Sequence, residues 1–383
     1  MDAPRDTEVV HDTINRSKRE KTPQERGIEE VIGRAFRACF STYVFGGREL
    51  EIGIPFGQNG ERRGSAGFQQ QIFRGGKGLP EDIWREADRV LESEDFSAYR
   101  RGLMQPGEKV IVFDIERRSF LIDRSAKLIR QMNSGPYPGS RTHIYVLKTE
   151  ASLTQADVYN YLYCVGALGM DCSGFVYYIL RSIAAAYAFD LDRSIAPLVG
   201  TTPEQVSLQV GIQFLDPRKA HMELVGDTID NLRPGDIILF RGRGAGFRHS
   251  GVVQAVDFSQ GIIRYLQCTD WAPESERGVH GSVIRFDRSC RGVSLMHDSA
   301  VWTQEIQPAF TGETGLAYWN DDGDRYRSFA QVGGSVVVRL NIIRDLFERV
   351  EPGFYLNVFN EELARLRQYP LPMPETPGRH IHG

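Results

Sequence analysis

A cysteine at the start of an apolar helix can serve as a nucleophile, and Cys172 stands in that setting. It follows Asp171 and precedes Ser173-Gly174, and the stretch FVYYILRSIAAAYAF then predicts a long, strongly apolar helix. At a helix's first turn a thiolate is stabilised by the positive end of the helix dipole and by backbone N–H groups that have no partner within the helix. The same N–H groups can hold an oxyanion. Asp171 suits a cap, and Ser173-Gly174 a tight turn that presents the sulfur. D-C-S-G alone fits equally well a free cysteine acting as a small buried hydrophobe. What adds weight is a base. His249 opens the strand-like segment R-H-S-G-V-V behind a loop rich in Gly and Arg. A histidine there can take the thiol's proton and form a thiolate–imidazolium pair.

These residues need elements to hold them. TQADVYNYLYCV predicts a helix that Asp171–Gly174 interrupts before the apolar helix resumes, and so apolar a helix belongs inside a domain. LRPGDIILF reads as a turn into a buried strand, and HSGVVQAVD, IIRYLQCTD and GSVIRFD as further strands with short polar links. The order is helix first, then an antiparallel sheet. Upstream, ERGIEEVIGRAFRACF and PEDIWREADRVLES predict amphipathic helices, ELEIGI a short strand, and EKVIVFDIERRSFLID two strands around a polar turn. Downstream, SVVVRLNIIRDLF predicts a strand or helix and NEELARLRQY a last helix. Composition shifts and Gly/Pro clusters set off a mobile arm (1–24), an N-terminal α+β region of unknown role (25–145) and a Pro-rich tail (371–383).

Four segments, in order, resemble the NlpC-type peptidases, papain-like cysteine enzymes that cut peptide bonds in bacterial peptidoglycan. They are Tyr163-Cys164-Val165-Gly166, Asp171-Cys172-Ser173-Gly174-Phe175-Val176, Pro234-Gly235-Asp236-Ile237 and His249-Ser250-Gly251-Val252-Val253. The first two are fairly specific together; Pro-Gly-Asp and His-x-Gly are common. The resemblance bounds a catalytic unit (150–290) and leaves a C-terminal extension packed on it (291–370). It implies an α+β fold with a papain-like core, its nucleophile helix packed on an antiparallel sheet. It further implies Cys172 as nucleophile and His249 as base. Tyr163 would place its hydroxyl near the reacting group, and Asp171 and Ser173 would help bind the substrate's amino end. Without the resemblance Tyr163 is a helix tyrosine with its hydroxyl at the surface.

The family places a His, Asn or Gln on the strand after the histidine strand, which makes Gln267 in IIRYLQCTD the candidate third catalytic residue. Its amide oxygen can accept from the imidazole and set the tautomer. Strand parity leaves alternatives open, because one residue of slip turns a different set of side chains toward His249. If the turn is an even four residues, 258 to 261, Cys268 and Asp270 face His249 instead; His280 is a further candidate.

Composition bounds the rest. Hydrophobic residues at 41% and charged residues at 25% rule out wholesale disorder, collagen-like repeats and coiled coil. A net charge of -4 provides no global basic field for nucleic acid or an anionic membrane. Five cysteines (Cys39, Cys164, Cys172, Cys268, Cys290) are too sparse for a disulfide scaffold and include no C-x-x-C pair. Gly242-x-Gly244-x-Gly246 joins two strands and opens no helix, so it reads as a cleft rim rather than a phosphate loop. Asp321–Asp324 lacks the alternating ligands of a calcium loop, and His380 and His382 have no companion ligands. No cofactor and no metal are expected. The charged N-terminus lacks a signal peptide's apolar stretch, and no run approaches membrane-span length. The expectation is a cytoplasmic protein as encoded, with export by a signal-independent route as the alternative, and a peptide or peptidoglycan-derived partner. The functional expectation is a cysteine hydrolase that cleaves an amide bond. Its alternatives are an amidase effector delivered into other cells and a non-catalytic papain-like module for binding or assembly.

Overall fold

The computed structural model describes residues 21–57, 79–104, 109–114, 119–123, 145–149, 153–164, 166, 168–226, 228–241, 246–269, 278–287, 294–295, 301–305, 335–348 and 379–380. Thr22 and Glu25 form a reciprocal capping box that starts α1 (Pro23–Arg37), whose Ile28, Val31, Ile32, Ala35 and Phe36 are buried. The other helices used below are α2 (Pro80–Leu91), α3 (Glu94–Met104), α4 (Gln155–Cys164), α5 (Cys172–Ala186), α6 (Leu191–Val199) and α7 (Asn341–Glu348). The strands are β1 (Phe40–Phe45), β2 (Arg48–Gly53), β3 (Lys109–Asp114), β4 (Ser119–Asp123), β5 (Tyr145–Thr149), β6 (Met222–Gly226), β7 (Ile237–Arg241), β8 (Phe247–Asp257), β9 (Ile262–Thr269), β10 (Gly278–Arg285), β11 (Val301–Glu305), β12 (Ser335–Leu340) and β13 (Arg379–His380). Among the described residues no helix is long and apolar enough to cross a membrane.

The fold is α+β. Its main sheet runs β11-β10-β9-β8-β7-β12-β6, and every neighbouring pair is antiparallel. From β7 to β11 the chain is a meander. β12 then returns from far along the sequence to lie between β7 and β6, so SVVVRLNIIRDLF is a strand followed by a helix. Alternation gives the sheet two apolar faces. Ile237, Leu239, Val252, Leu266, Cys268, Val279, Val338 and Leu340 join α5 in one cluster that also takes in α1 and α2. Ile238, Phe240, Val253, Tyr265, Ile284 and Val337 make the second cluster, with Ile229, Leu232 and Leu295.

The first cluster runs from Ile28 to Ile343. The divisions expected at 25–145, 150–290 and 291–370 therefore share one core. Asp236 adds a polar tie: its carboxylate accepts two bonds from the Arg339 guanidinium of β12, Nε at 2.7 Å and Nη2 at 2.9 Å, and a third from the Arg233 N–H. Pro-Gly-Asp is thus clamped to the C-terminal strand, and Gly235, at φ 89°, supplies the left-handed turn that β-carbons disfavour. β1 and β2 form a hairpin closed by Gly46 and Gly47, both at positive φ, and β13 from the Pro-rich tail pairs with β1 in parallel. A smaller sheet, β4-β3-β5, contains the two strands expected around a polar turn. Residues 1–20, Gly242, Gly244, Asp270, Cys290, Asp321–Asp324, the predicted NEELARLRQY helix and His382 lie outside the described residues.

Candidate active site

Cys172 is the first residue of α5. Asp171 is its N-cap: one carboxylate oxygen, Oδ1, accepts from the Gly174 N–H at 2.6 Å and from the Ser173 hydroxyl at 3.1 Å. Both residues proposed to bind a substrate amine are therefore engaged in building the turn, and Ser173 is buried. The Cys172 side chain is half-buried. Its thiol lies against Ser250, whose hydroxyl and backbone favour the thiolate, as does the backbone at Ser173. Burial, with a smaller push from the Asp171 carboxylate, outweighs these and raises the thiol to about 12.

His249 and Gln267 are brought together. The His249 Nε2 lies 2.6 Å from Gln267 Oε1, and the imidazole stacks on Phe240 with centroids 5.5 Å apart. An amide oxygen only accepts, so Nε2 carries the proton and Nδ1 is the basic nitrogen. Gln267 Nε2 in turn donates to Ser282 Oγ, and more distantly to Tyr265 OH at 3.5 Å. Burial lowers His249 to about 4; the Gln267 bond opposes this and nearby His280 adds to it. At neutral pH both the thiol and the imidazole are uncharged, not the expected ion pair.

The turn between β8 and β9 does have four residues, 258–261, because Asp257 pairs with Ile262. Simple parity would then turn Cys268 toward His249. A bulge between Val253 and Ala255 absorbs one residue, so Gly251 pairs with Gln267, and Gln267 shares the face of His249. Cys268 points the other way and its Sγ donates to Met170 O at 3.0 Å. His280 is the cross-strand neighbour of Gln267, with Nδ1 at 2.8 Å from Gly278 O. That carbonyl accepts a hydrogen bond from Nδ1–H, and burial lowers His280 to about 4.

Consecutive side chains leave a strand on opposite faces. Ser250, opposite Leu239, points toward α5 and the thiol, whereas His249, opposite Phe240, points toward Tyr265 and Gln267. The thiol thus meets β8 at Ser250, while the imidazole leaves β8 from the adjacent residue on the opposite face. For Tyr163 the structure describes its place in the last turn of α4, and its side chain lies outside the described residues.

The segment Ile54–Gly57, missed from sequence, forms a wall against the stretch leading to Cys172 and against the start of β10. Met170 N–H donates to Pro55 O and Gly57 N–H to Met170 O, both at 2.9 Å, and Val279 N–H donates to Ile54 O at 3.1 Å. Two glycines admit it. A β-carbon at Gly278, itself at φ 124°, would stand 2.2 Å from Ile54 O, and one at Gly169 would stand 2.8 Å from Gly57 N. Those glycines are the only trace of the wall in the sequence, and they do not say which segment approaches. Comparison of the chain with protein-family models, curated proteins and solved structures finds no match.

Proposed function

We propose that the chain is a cysteine hydrolase with a papain-like core that cleaves an amide bond through an acyl-enzyme at Cys172. The substrate class implied by the NlpC-type resemblance is the peptides of bacterial peptidoglycan or their fragments. One observation carries this reading: the thiol at the capped first turn of a buried helix meets β8 at Ser250, beside a His249 whose Nε2 proton is held by Gln267. In the reaction Cys172 Sγ attacks the carbonyl carbon as its proton passes to His249 Nδ1, and the Cys172 N–H at the start of α5 receives the oxyanion, that of Gly174 being held by Asp171. Collapse breaks the C–N bond while the imidazolium protonates the leaving amine. Water, deprotonated by His249, then hydrolyses the thioester. Because both groups rest uncharged, proton transfer accompanies attack.

A thiol-reactive probe tests this. Labelling of Cys172 near pH 7 that disappears in His249→Ala supports the pair, whereas labelling at Cys172 no faster than at buried Cys39 rejects it. Incubation with purified peptidoglycan, with products resolved by mass, identifies the bond; untouched wall beside a cleaved free peptide rejects the wall as substrate. A second reading, a non-catalytic papain-like scaffold, is favoured by the depth of His249, which is 3% exposed, stacked on Phe240 and turned to the strand face away from Ser250. Intact labelling in His249→Ala would select it.

A further inference from the structure

We infer that Ser282 is a positioning residue of the site, holding the Gln267 amide so that its oxygen stays on His249 Nε2. This inference rests on the hydrolase reading and deepens it. Ser282 lies on β10, opposite Tyr265 of β9, and Gln267 is the next residue of β9 on that face. All three are buried: Ser282 at 2%, Tyr265 at 1% and Gln267 at 0% exposure. Gln267 has a long, rotatable side chain, so one hydrogen bond to an imidazole does not fix its amide plane. Two anchors do. Oε1 meets His249 Nε2, and Nε2 at the other end donates to the Ser282 hydroxyl, with Tyr265 OH more distant.

The chain of donors has a direction. His249 Nε2–H donates to Gln267 Oε1, and Gln267 Nε2–H donates to Ser282 Oγ. If the Ser282 oxygen is lost, a buried amide N–H loses its acceptor, and the amide gains by rotating away from the imidazole. His249 can then carry its proton on Nδ1, where it cannot accept the thiol's proton. Ser282 touches neither the thiol nor a substrate, and acts through Gln267 alone.

The test compares Ser282→Thr with Ser282→Val in the full chain, since these side chains share a shape and differ by the hydroxyl. Two quantities are read: the His249 tautomer, by nitrogen NMR of imidazole-labelled protein, and the pH profile of Cys172 alkylation by iodoacetamide. Expected are Nε2–H in the wild type and in Ser282→Thr, a mixed tautomer in Ser282→Val, and alkylation near pH 7 slower in Val than in Thr by about tenfold, the loss of one buried hydrogen bond. Equal tautomers and equal rates in Thr and Val overturn the role of Ser282. Nδ1–H in the wild type overturns it without any variant, which covers failure of both variants to fold. Alkylation that ignores His249→Ala, with the Thr/Val tautomer difference intact, rejects the hydrolase reading and leaves the anchoring by Ser282 standing.

Discussion

At the residue scale, two buried histidines make acid sensitivity a direct consequence of the site. His249 and His280 both have lowered proton affinity, chiefly through burial, so each titrates near pH 4 in the folded chain against 6.5 when exposed. Between those values the unfolded chain binds protons that the folded chain refuses, so stability falls as pH falls from about 6.5 to about 4. A displacement of that size corresponds to about 3 kcal/mol at one site at about 1.4 kcal/mol per pH unit. Urea midpoints at pH 7.5 and 4.5 should differ steeply in the wild type and less in His280→Gln, which removes one imidazole; equal slopes in the two proteins refute burial of a neutral His280. The same direction governs reactivity. With His249 neutral down to about pH 4, the acid limb of Cys172 alkylation should lie near 4, and a limb at 6.5 or above would mean a solvated imidazole. Gln267 was named only through the family resemblance; Cys172 and His249 were legible in the sequence itself as candidates, because their residue types suit thiol chemistry. Their charge state was not, since it depends on burial by segments remote in the chain.

At the element scale, the hairpin β8–β9 shows why the third residue could not be settled from strand patterns. Alternation in HSGVVQAVD and IIRYLQCTD locates two strands, and the count 258–261 even gives the correct turn length. Applied without a bulge, that count turns Cys268 and Asp270 to the imidazole. One extra residue at Gln254 reverses the parity and brings Gln267 round instead. The bulge carries no glycine, so composition does not announce it. Deleting Gln254 therefore has a sharp expected outcome. Without Gln254 the ladder from Asp257–Ile262 runs unbroken through Ala255–Arg264 and Val253–Tyr265, so Gly251 still meets Gln267 and His249-dependent labelling should persist. A folded deletion variant that loses His249-dependent labelling would show that the bulge does more than set the pairing of Gly251 with Gln267. The helices were easier to read, because capping and apolar spacing are local: Asp171 marks the start of α5, whereas the Thr22–Glu25 box that starts α1 corrects the mobile arm expected over 1–24 at its last residues.

At the scale of the whole molecule, the segments flanking the motif-bearing stretch turn out to be structural parts of it. α1 packs on α5, the wall Ile54–Gly57 bonds to Met170 and Val279, and β12 fills the gap between β7 and β6. Sequence patterns marked these as separate regions because long-range strand insertion leaves no local signal. The buried pair Asp236–Arg339 makes the consequence measurable. A carboxylate with no exposure is matched to a guanidinium by two parallel bonds, and removing one partner leaves the other charge buried. Arg339→Ala should therefore cost about 3–5 kcal/mol, read as a lower urea midpoint, while a joint Asp236→Leu, Arg339→Met change should recover much of that loss. A chain cut to residues 150–290 goes further: it exposes Leu239, Val252 and the α5 face, and opens β7 along the edge that β12 covers. Such a fragment should lack dispersed amide resonances and aggregate through that edge. Adding residues 335–348 as a separate peptide restores the strand but not α1 or the wall, so recovery of His249-dependent labelling by that peptide alone would show that the N-terminal region is dispensable to the site.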